Sequence, residues 1–357
     1  MNKMIKVQLL ELSQIEHLTQ FYEIGSQVRE RNNDFELPWT ESHNIIDFIE
    51  TNEVEYKAFV VVEEKRAGRI MAYRFKDSEE KAFLGWFECD PDNEISKALL
   101  SSCEDWLKSL NVKEIYGPMQ GSSWVNFRFN TASSKPLFPT EPYQPLYYIE
   151  QWEKYGFTHD VKYETHLVPK DISRPMRLLK VKAFAALRRV RFNSWPKDLI
   201  NDEEKLKDMH AFFHECFQDN PLYRPVSFAK YEEITHKLEK IIDFEHSYIM
   251  TDRKGKPASV LISYRDVYHQ MFENGLLKDE AHNTHTLYMK TIATAKAWRG
   301  KHLSRVLVNF GFVEALRNGY NEVVFGTMMT ENKSAKYSKS FFQAEPLRTY
   351  SFMKKQL

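Results

Sequence analysis

The residues with the clearest chemical meaning lie between Thr286 and Leu307. A strand-like run, Thr286-Leu287-Tyr288-Met289-Lys290-Thr291, leads through a short connection into a helix-like run that opens at Leu303. The connection places Arg299-Gly300-Lys301 directly before the helix start. Amide N–H groups in the first turn of a helix have no intrahelical acceptor. They carry partial positive charge and attract phosphate oxygens. A glycine lets the backbone approach a ligand closely, and the flanking Arg and Lys add formal charge. The pattern suits a diphosphate. It is neither a GxxxxGK[ST] loop nor a GxGxxG fingerprint.

Other titratable residues give weaker signals. His269, His282, His285 and His302 gather around the same strands by sequence, and Glu273 sits in the long connection between them. A histidine is the natural base near neutral pH, and no carboxylate stands out for that role. His282-x-x-His285 has no third ligand nearby, so no metal is expected. Cys89, Cys103 and Cys216 show no CxxC spacing and are odd in number, as reduced thiols in a cytosol would be. In the first half, Gly117-Pro118-Met119-Gln120-Gly121 runs on to Phe129, and a Pro-rich stretch follows from Pro136 to Tyr148. Its Trp124, Asn126, Arg128 and Tyr143 could line a small-molecule pocket, or the loop could pack internally with no ligand; both readings stand.

The elements that must position these residues repeat. Residues 12–30 and 42–50 read as helices, the second capped by Ser42. Strands follow at 58–62, 68–75 and 82–89, then an amphipathic helix at 94–110 and a strand at 112–116. The second half runs helices 204–217 and 228–242, strands 247–251, 258–264 and 286–291, helix 303–318, strand 322–325, helix 332–342 and strand 349–354. Lys113-Glu114-Ile115-Tyr116-Gly117 stands opposite Glu322-Val323-Val324-Phe325-Gly326, each after a helix, so the halves read as copies. A length of 357 residues suits two domains. The boundary falls between Pro169 and Lys197, where a run of Arg and Lys reads as the solvated basic face of a linker helix in preference to a nucleic-acid patch. Fifty basic residues balance fifty acidic ones, which argues against duplex DNA or an anionic membrane as partner. No secretory signal and no membrane span is read, so the expected location is the cytoplasm.

At the segment around Arg299 the sequence resembles the GNAT superfamily of acyl-CoA-dependent N-acyltransferases. In that family a Q/R-x-x-G-x-G/A loop after the fourth strand cradles the pyrophosphate of coenzyme A. Arg299 matches its first position, while His302 replaces the first Gly and Ser304 the final Gly/Ala. His302 thus adds a Cβ that keeps the backbone farther from a diphosphate, or an imidazole that donates to it. Asn332-Lys333-Ser334-Ala335 looks like the N-x-x-A helix start that borders the pantetheine arm. The resemblance covers about the last 165 residues. It implies an α/β chain of two tandem GNAT-like domains, each a mixed, mostly antiparallel sheet flanked by helices. Residues 1–180 form a degenerate domain without the loop, because Asp90-Pro91-Asp92-Asn93-Glu94 stands there and would repel a diphosphate. Residues 181–357 carry it.

The resemblance also implies roles. The backbone N–H of Ile292 faces the thioester oxygen, and Ile292, Thr294, Arg299, Gly300, Lys301, His302, Leu303, Ser304 and Asn332 hold acetyl-CoA or another acyl-CoA. The family's thiolate-protonating Tyr, seven residues after the Asn, falls on Lys339. Tyr337, the nearest Tyr, is the candidate catalytic acid, although it lies about 160° from that position around a helix. The expected activity is transfer of an acyl group, acetyl first among them, to an amine of a small molecule. Two alternatives remain: a non-catalytic ligand-binding or interaction protein built on two degenerate copies, and a transferase using aminoacyl-tRNA, which the neutral charge disfavours.

Overall fold

The computed structural model describes residues 5–31, 45–63, 66–125, 127–131, 138, 140–141, 144–169, 181–220, 223–266 and 285–357. The first half runs β1 (Val7–Leu10), α1 (Ile15–Arg31), α2 (Ile45–Thr51), β2 (Val54–Glu63), β3 (Arg66–Phe75), β4 (Lys81–Cys89), α3 (Asn93–Ser109), β5 (Glu114–Gly117), β6 (Phe129–Asn130), α4 (Tyr147–Lys154) and β7 (Thr158–Val168). The second half runs α5 (Val181–Leu187), β8 (Arg191–Ser194), α6 (Glu203–Phe217), α7 (Phe228–Leu238), β9 (Tyr248–Thr251), β10 (Pro257–Arg265), β11 (Thr286–Thr294), α8 (Leu303–Arg317), β12 (Glu322–Met329), α9 (Lys333–Phe342) and β13 (Glu345–Gln356). The helices and strands read from periodicity are present to within a few residues, Ser42 lying outside the described residues. The sequence reading did not single out β1, β6, α4 or β7.

The chain divides into two compact units. The first comprises 1–133, 140–162 and 350–357, the second 134–139 and 163–349. This differs from the expected split into 1–180 and 181–357 in a specific way. The end of β7 belongs to the second unit, where it pairs antiparallel with β12 from Val168↔Val323 to Tyr163↔Met329. The end of β13 belongs to the first, where it pairs antiparallel with β5 from Met353↔Gly117 to Gln356↔Glu114. Each half lacks a final strand of its own and takes one from the other half's segment of chain.

In the first unit β1 to β4 form an antiparallel meander, and β4 runs parallel to β5. Successive residues of a strand face opposite sides of the sheet, and β3 shows this at two neighbours. A Cβ on Gly68 would meet Leu99 and Ile95 of α3, whereas the Arg69 side chain fills the space beside Gly25 of α1. One helix therefore covers each face. Ile95, Leu99, Leu100, Cys103 and Leu107 of α3 are all buried at helical spacing. On the α1 side Arg69 donates to Phe21 O and pairs with Glu88, which also takes Arg29 at 2.7 Å. Burial alone would raise the Glu88 pKa; the two guanidinium groups hold it below the usual range.

The second unit repeats the order: β8, β9, β10 and β11 pair antiparallel, and β11 runs parallel to β12. Helix α8 packs Leu303, Val306, Leu307 and Phe312 onto Leu261, Leu287 and Met289. Gly311 is the point of closest approach, where a Cβ would stand 3.0 Å from Leu261 and 3.2 Å from Met289.

Candidate functional site

The parallel strand pair in each unit is short, and both pairs come apart along their length. In the second unit the pairing of β11 with β12 ends at Met289↔Phe325, although β11 continues to Thr294. Against β10, Ile262 pairs with Thr291 and Ser263 with Met289, so Lys290 is an extra, bulged residue. Among the described residues the β11–β12 register includes none of 290–294 and none of 326–329. Ala295 N–H points at β10, donating to Ala258 O at 3.1 Å. Strand alternation then turns the N–H groups of Ile292 and Thr294 away from β10, and that of Thr294 meets the Cys216 thiol of α6. Side chains alone bridge the gap near its start. Tyr288 Oη and Thr327 Oγ1 lie 3.1 Å apart, and Lys290 Nζ donates to both at 3.3 Å.

The first unit closes the same gap with backbone. Pairing of β4 with β5 ends at Phe83↔Tyr116. The next turn then folds inward: Met119 N–H donates to Leu84 O at 2.8 Å, and Tyr73 Oη donates to Met119 O at 3.0 Å. Gly85 is required there, since a Cβ would sit 2.1 Å from Met119 O. Met119 thus occupies the space beside Leu84 and Gly85 where the two strands part.

The helix starts differ in the same sense. Asp92 caps α3, its carboxylate accepting Glu94 N–H at 2.8 Å and Ile95 N–H at 3.2 Å. That helix end is satisfied by its own anion. The cap of α8 is His302, in the left-handed region (φ 64°, ψ 16°) and with no side-chain hydrogen bond to the helix. The first intrahelical bond runs from Val306 N–H to His302 O at 3.2 Å. Leu303, Ser304 and Arg305 are therefore first-turn donors with no acceptor inside the helix. Gly300 also takes positive φ (78°), and a Cβ there would meet nothing within 4 Å, so the loop is open on that side. His302, Gly300 and Arg305 are exposed. Lys301 Nζ rests 4.1 Å from the Trp298 ring centroid.

Arg299 does not reach toward the α8 start with all of its donors. One Nη donates to Cys216 O at 3.0 Å, near the C-terminal end of α6, and the other lies 3.5 Å from Asp219. Asp219 also takes Lys296 Nζ at 3.1 Å, which lowers its pKa. Glu215 accepts Lys296 N–H at 2.7 Å.

On α9, Asn332 is the exposed cap residue and its carboxamide makes no hydrogen bond to the helix. Tyr337 stacks on Phe341 at 5.0 Å, lies beneath Arg305, and its hydroxyl accepts Asn309 Nδ2 at 2.9 Å; burial raises its pKa. Lys339 Nζ lies 2.6 Å from the buried Glu164 of β7. Glu164 stands 2.9 Å from His166 Nε2, whose Nδ1 is 2.9 Å from Ser338 Oγ. Burial lowers the His166 pKa; for Glu164 it acts upward but is outweighed by Lys339 and His166. The sequence reading missed Glu164, His166 and Ser338. The only signal was the alternation Tyr163-Glu164-Thr165-His166-Leu167, which does not say which unit the strand joins.

Of the remaining expected residues, Trp124, Arg128, His285 and His302 are described. Trp124 and Arg128 belong to the first unit. Arg128 is buried at positive φ (68°) with its guanidinium 4.4 Å from the Phe127 ring and 5.1 Å from the Tyr350 ring, and Tyr350 donates to the buried Glu141. Asn126, Tyr143, His269, Glu273 and His282 lie outside the described residues. His285 and His302 do not gather as expected. His285 precedes β11, its carbonyl accepting Asn321 and Glu322 N–H, while His302 follows the other end of that nine-residue strand. At about 3.3 Å per residue the strand separates them by roughly 30 Å.

No protein-family model matches the sequence, and no curated protein matches it. The likeness is structural. A conserved protein of unknown function from Enterococcus faecalis V583 aligns over 99% of this chain and 73% of its own, at 11% identity and a TM-score of 0.52. A GCN5-related N-acetyltransferase from Anabaena variabilis ATCC 29413 aligns over 98% and 72%, at 12% identity and 0.51. A tandem GNAT protein from the clavulanic acid biosynthesis pathway aligns over 98% of both chains, at 11% and 0.49. Two repeated units, each a largely antiparallel sheet between helices with one parallel, diverging strand pair, thus give this chain the fold of the GCN5-related N-acetyltransferases.

Proposed function

We propose that this chain is an acyl-CoA-dependent N-acyltransferase, transferring acetyl or another acyl group to an amine of a small molecule, and that its second unit carries the activity. One observation carries the reading: α8 starts without a capping side chain, flanked by cations and next to the unpaired edge of β11, while its counterpart in the first unit is capped by Asp92 and its strand gap is sewn shut. The first-turn N–H groups of Leu303, Ser304 and Arg305, with Lys301 and His302, would hold the diphosphate of the cofactor. Asn332, whose carboxamide makes no cap hydrogen bond, would border the amide-bearing arm. Bound there, acyl-CoA supplies a thioester carbonyl open to attack by an amine. The N–H of Ile292, on the unpaired edge, would donate to the oxyanion that forms.

Isothermal titration with acetyl-CoA tests the reading. One equivalent per chain is expected, because only one of the two strand gaps is open. Release of free thiol in the presence of an amine panel then tests the transfer. Absence of binding at millimolar acetyl-CoA overturns the proposal and favours a non-catalytic pair of domains.

A further inference from the structure

Resting on that reading, we infer that Arg299 is a positioning residue that anchors the diphosphate loop to the end of α6, and not itself a ligand of the phosphates. The contacts of its guanidinium are the argument. One nitrogen donates to Cys216 O at 3.0 Å, Nε to Thr294 O at 3.4 Å, and a third nitrogen faces Asp219 at 3.5 Å. Cys216 belongs to the last turn of α6, where carbonyls lack intrahelical donors and the helix dipole is negative. A cation is favoured there for the same reason that an anion is favoured at the start of α8. The loop between β11 and α8 is held from the α6 side at a second point as well, where Glu215 accepts Lys296 N–H and Asp219 takes Lys296 Nζ. The loop is thereby stretched between a negative helix end, which takes Arg299, and a positive helix start, which is left for the ligand.

Asp219 discriminates the two roles. If Arg299 were a phosphate ligand restrained by Asp219, then Asp219→Asn would free it and tighten acetyl-CoA binding. If Arg299 is an anchor, Asp219→Asn loosens the loop and weakens binding several-fold, and Arg299→Ala weakens it by about tenfold to a hundredfold, as misplacement of a binding group does. Arg299→Lys separates them again. A lysine serves a phosphate as a point charge but cannot bond Cys216 O, Thr294 O and Asp219 together, so it fails to restore affinity. Acetyl-pantetheine, which lacks the diphosphate, reads whether the loss reaches the acyl end. The anchor role predicts a higher KM for both substrates in Arg299→Ala, because β11 is loosened with the loop. Hydrogen exchange of residues 294–302 in the cofactor-free protein gives an independent measure, expected to rise in both Arg299→Ala and Asp219→Asn. Unchanged exchange, or tighter acetyl-CoA binding by Asp219→Asn, overturns the inference. Should the wild-type chain bind no acetyl-CoA, the proposed function fails, and exchange alone decides the anchor.

Discussion

His302→Asp would place an anion at the start of α8, as Asp92 does at the start of α3. Aspartate tolerates the left-handed backbone that His302 adopts (φ 64°). Its carboxylate would compete for the first-turn N–H groups and repel a bound diphosphate. At a separation of about 4 Å, two unit charges interact with about 4 kcal/mol at an effective dielectric constant of 20 and about 1 kcal/mol in bulk water. Because His302 is exposed, a value of about 2 kcal/mol is appropriate, equivalent to roughly thirtyfold weaker binding. Titration calorimetry against acetyl-CoA and against acetyl-pantetheine is the assay, since only the first carries the diphosphate. The variant should lose affinity for acetyl-CoA alone, and the loss should shrink as salt rises. The fold should not suffer, because an acid at a helix start contributes about 0.3–1 kcal/mol. Unchanged affinity for acetyl-CoA, or an equal loss for both compounds, would refute the placement of the diphosphate at this helix.

Three further outcomes follow from the fold. Ending the chain at Thr349 removes Tyr350, Phe352 and Met353, each 1% exposed or less; at about 1.5–3 kcal/mol per buried side chain the first unit should lose its cooperative unfolding transition in calorimetry. Burial acts to raise the pKa of Glu104, but hydrogen bonds from Lys108, Lys355 and Tyr155 bring it down to about 2. A lowered carboxylate pKa stabilises the fold above its unfolded value and ceases to do so as pH falls through the folded one. The stability gap between wild type and Glu104→Gln, on the order of 1 kcal/mol for such partly exposed pairs, should therefore be full above about pH 4.5 and vanish toward about pH 2 in urea titrations. Burial raises the pKa of Cys89, Cys103 and Cys216, the last to about 12; a maleimide should label none of them in the native chain and all three after denaturation.

The amino-acid sequence by itself determined the elements and one chemical signal. Periodicity marks α3 and α8, strand runs mark β3, β4, β10 and β11, and Arg299-Gly300-Lys301 before Leu303 marks an anion-seeking helix start. These are local properties, set by side-chain spacing and by the amides of one turn. The acidic residues Asp90, Asp92 and Glu94 likewise mark a helix start of opposite charge in the first copy. Tertiary structure alone decided the rest, because it depends on partners distant in the chain. Nothing near Arg299 indicates that its guanidinium is drawn to Cys216 O, 83 residues away. Nothing in Glu164 or His166 shows that their strand joins the second unit and meets Lys339. The exchange of final strands between halves, and the contact of Met119 with Leu84 in one strand gap but not its counterpart in the other, arise from pairing between segments distant in the chain, which local spacing does not specify.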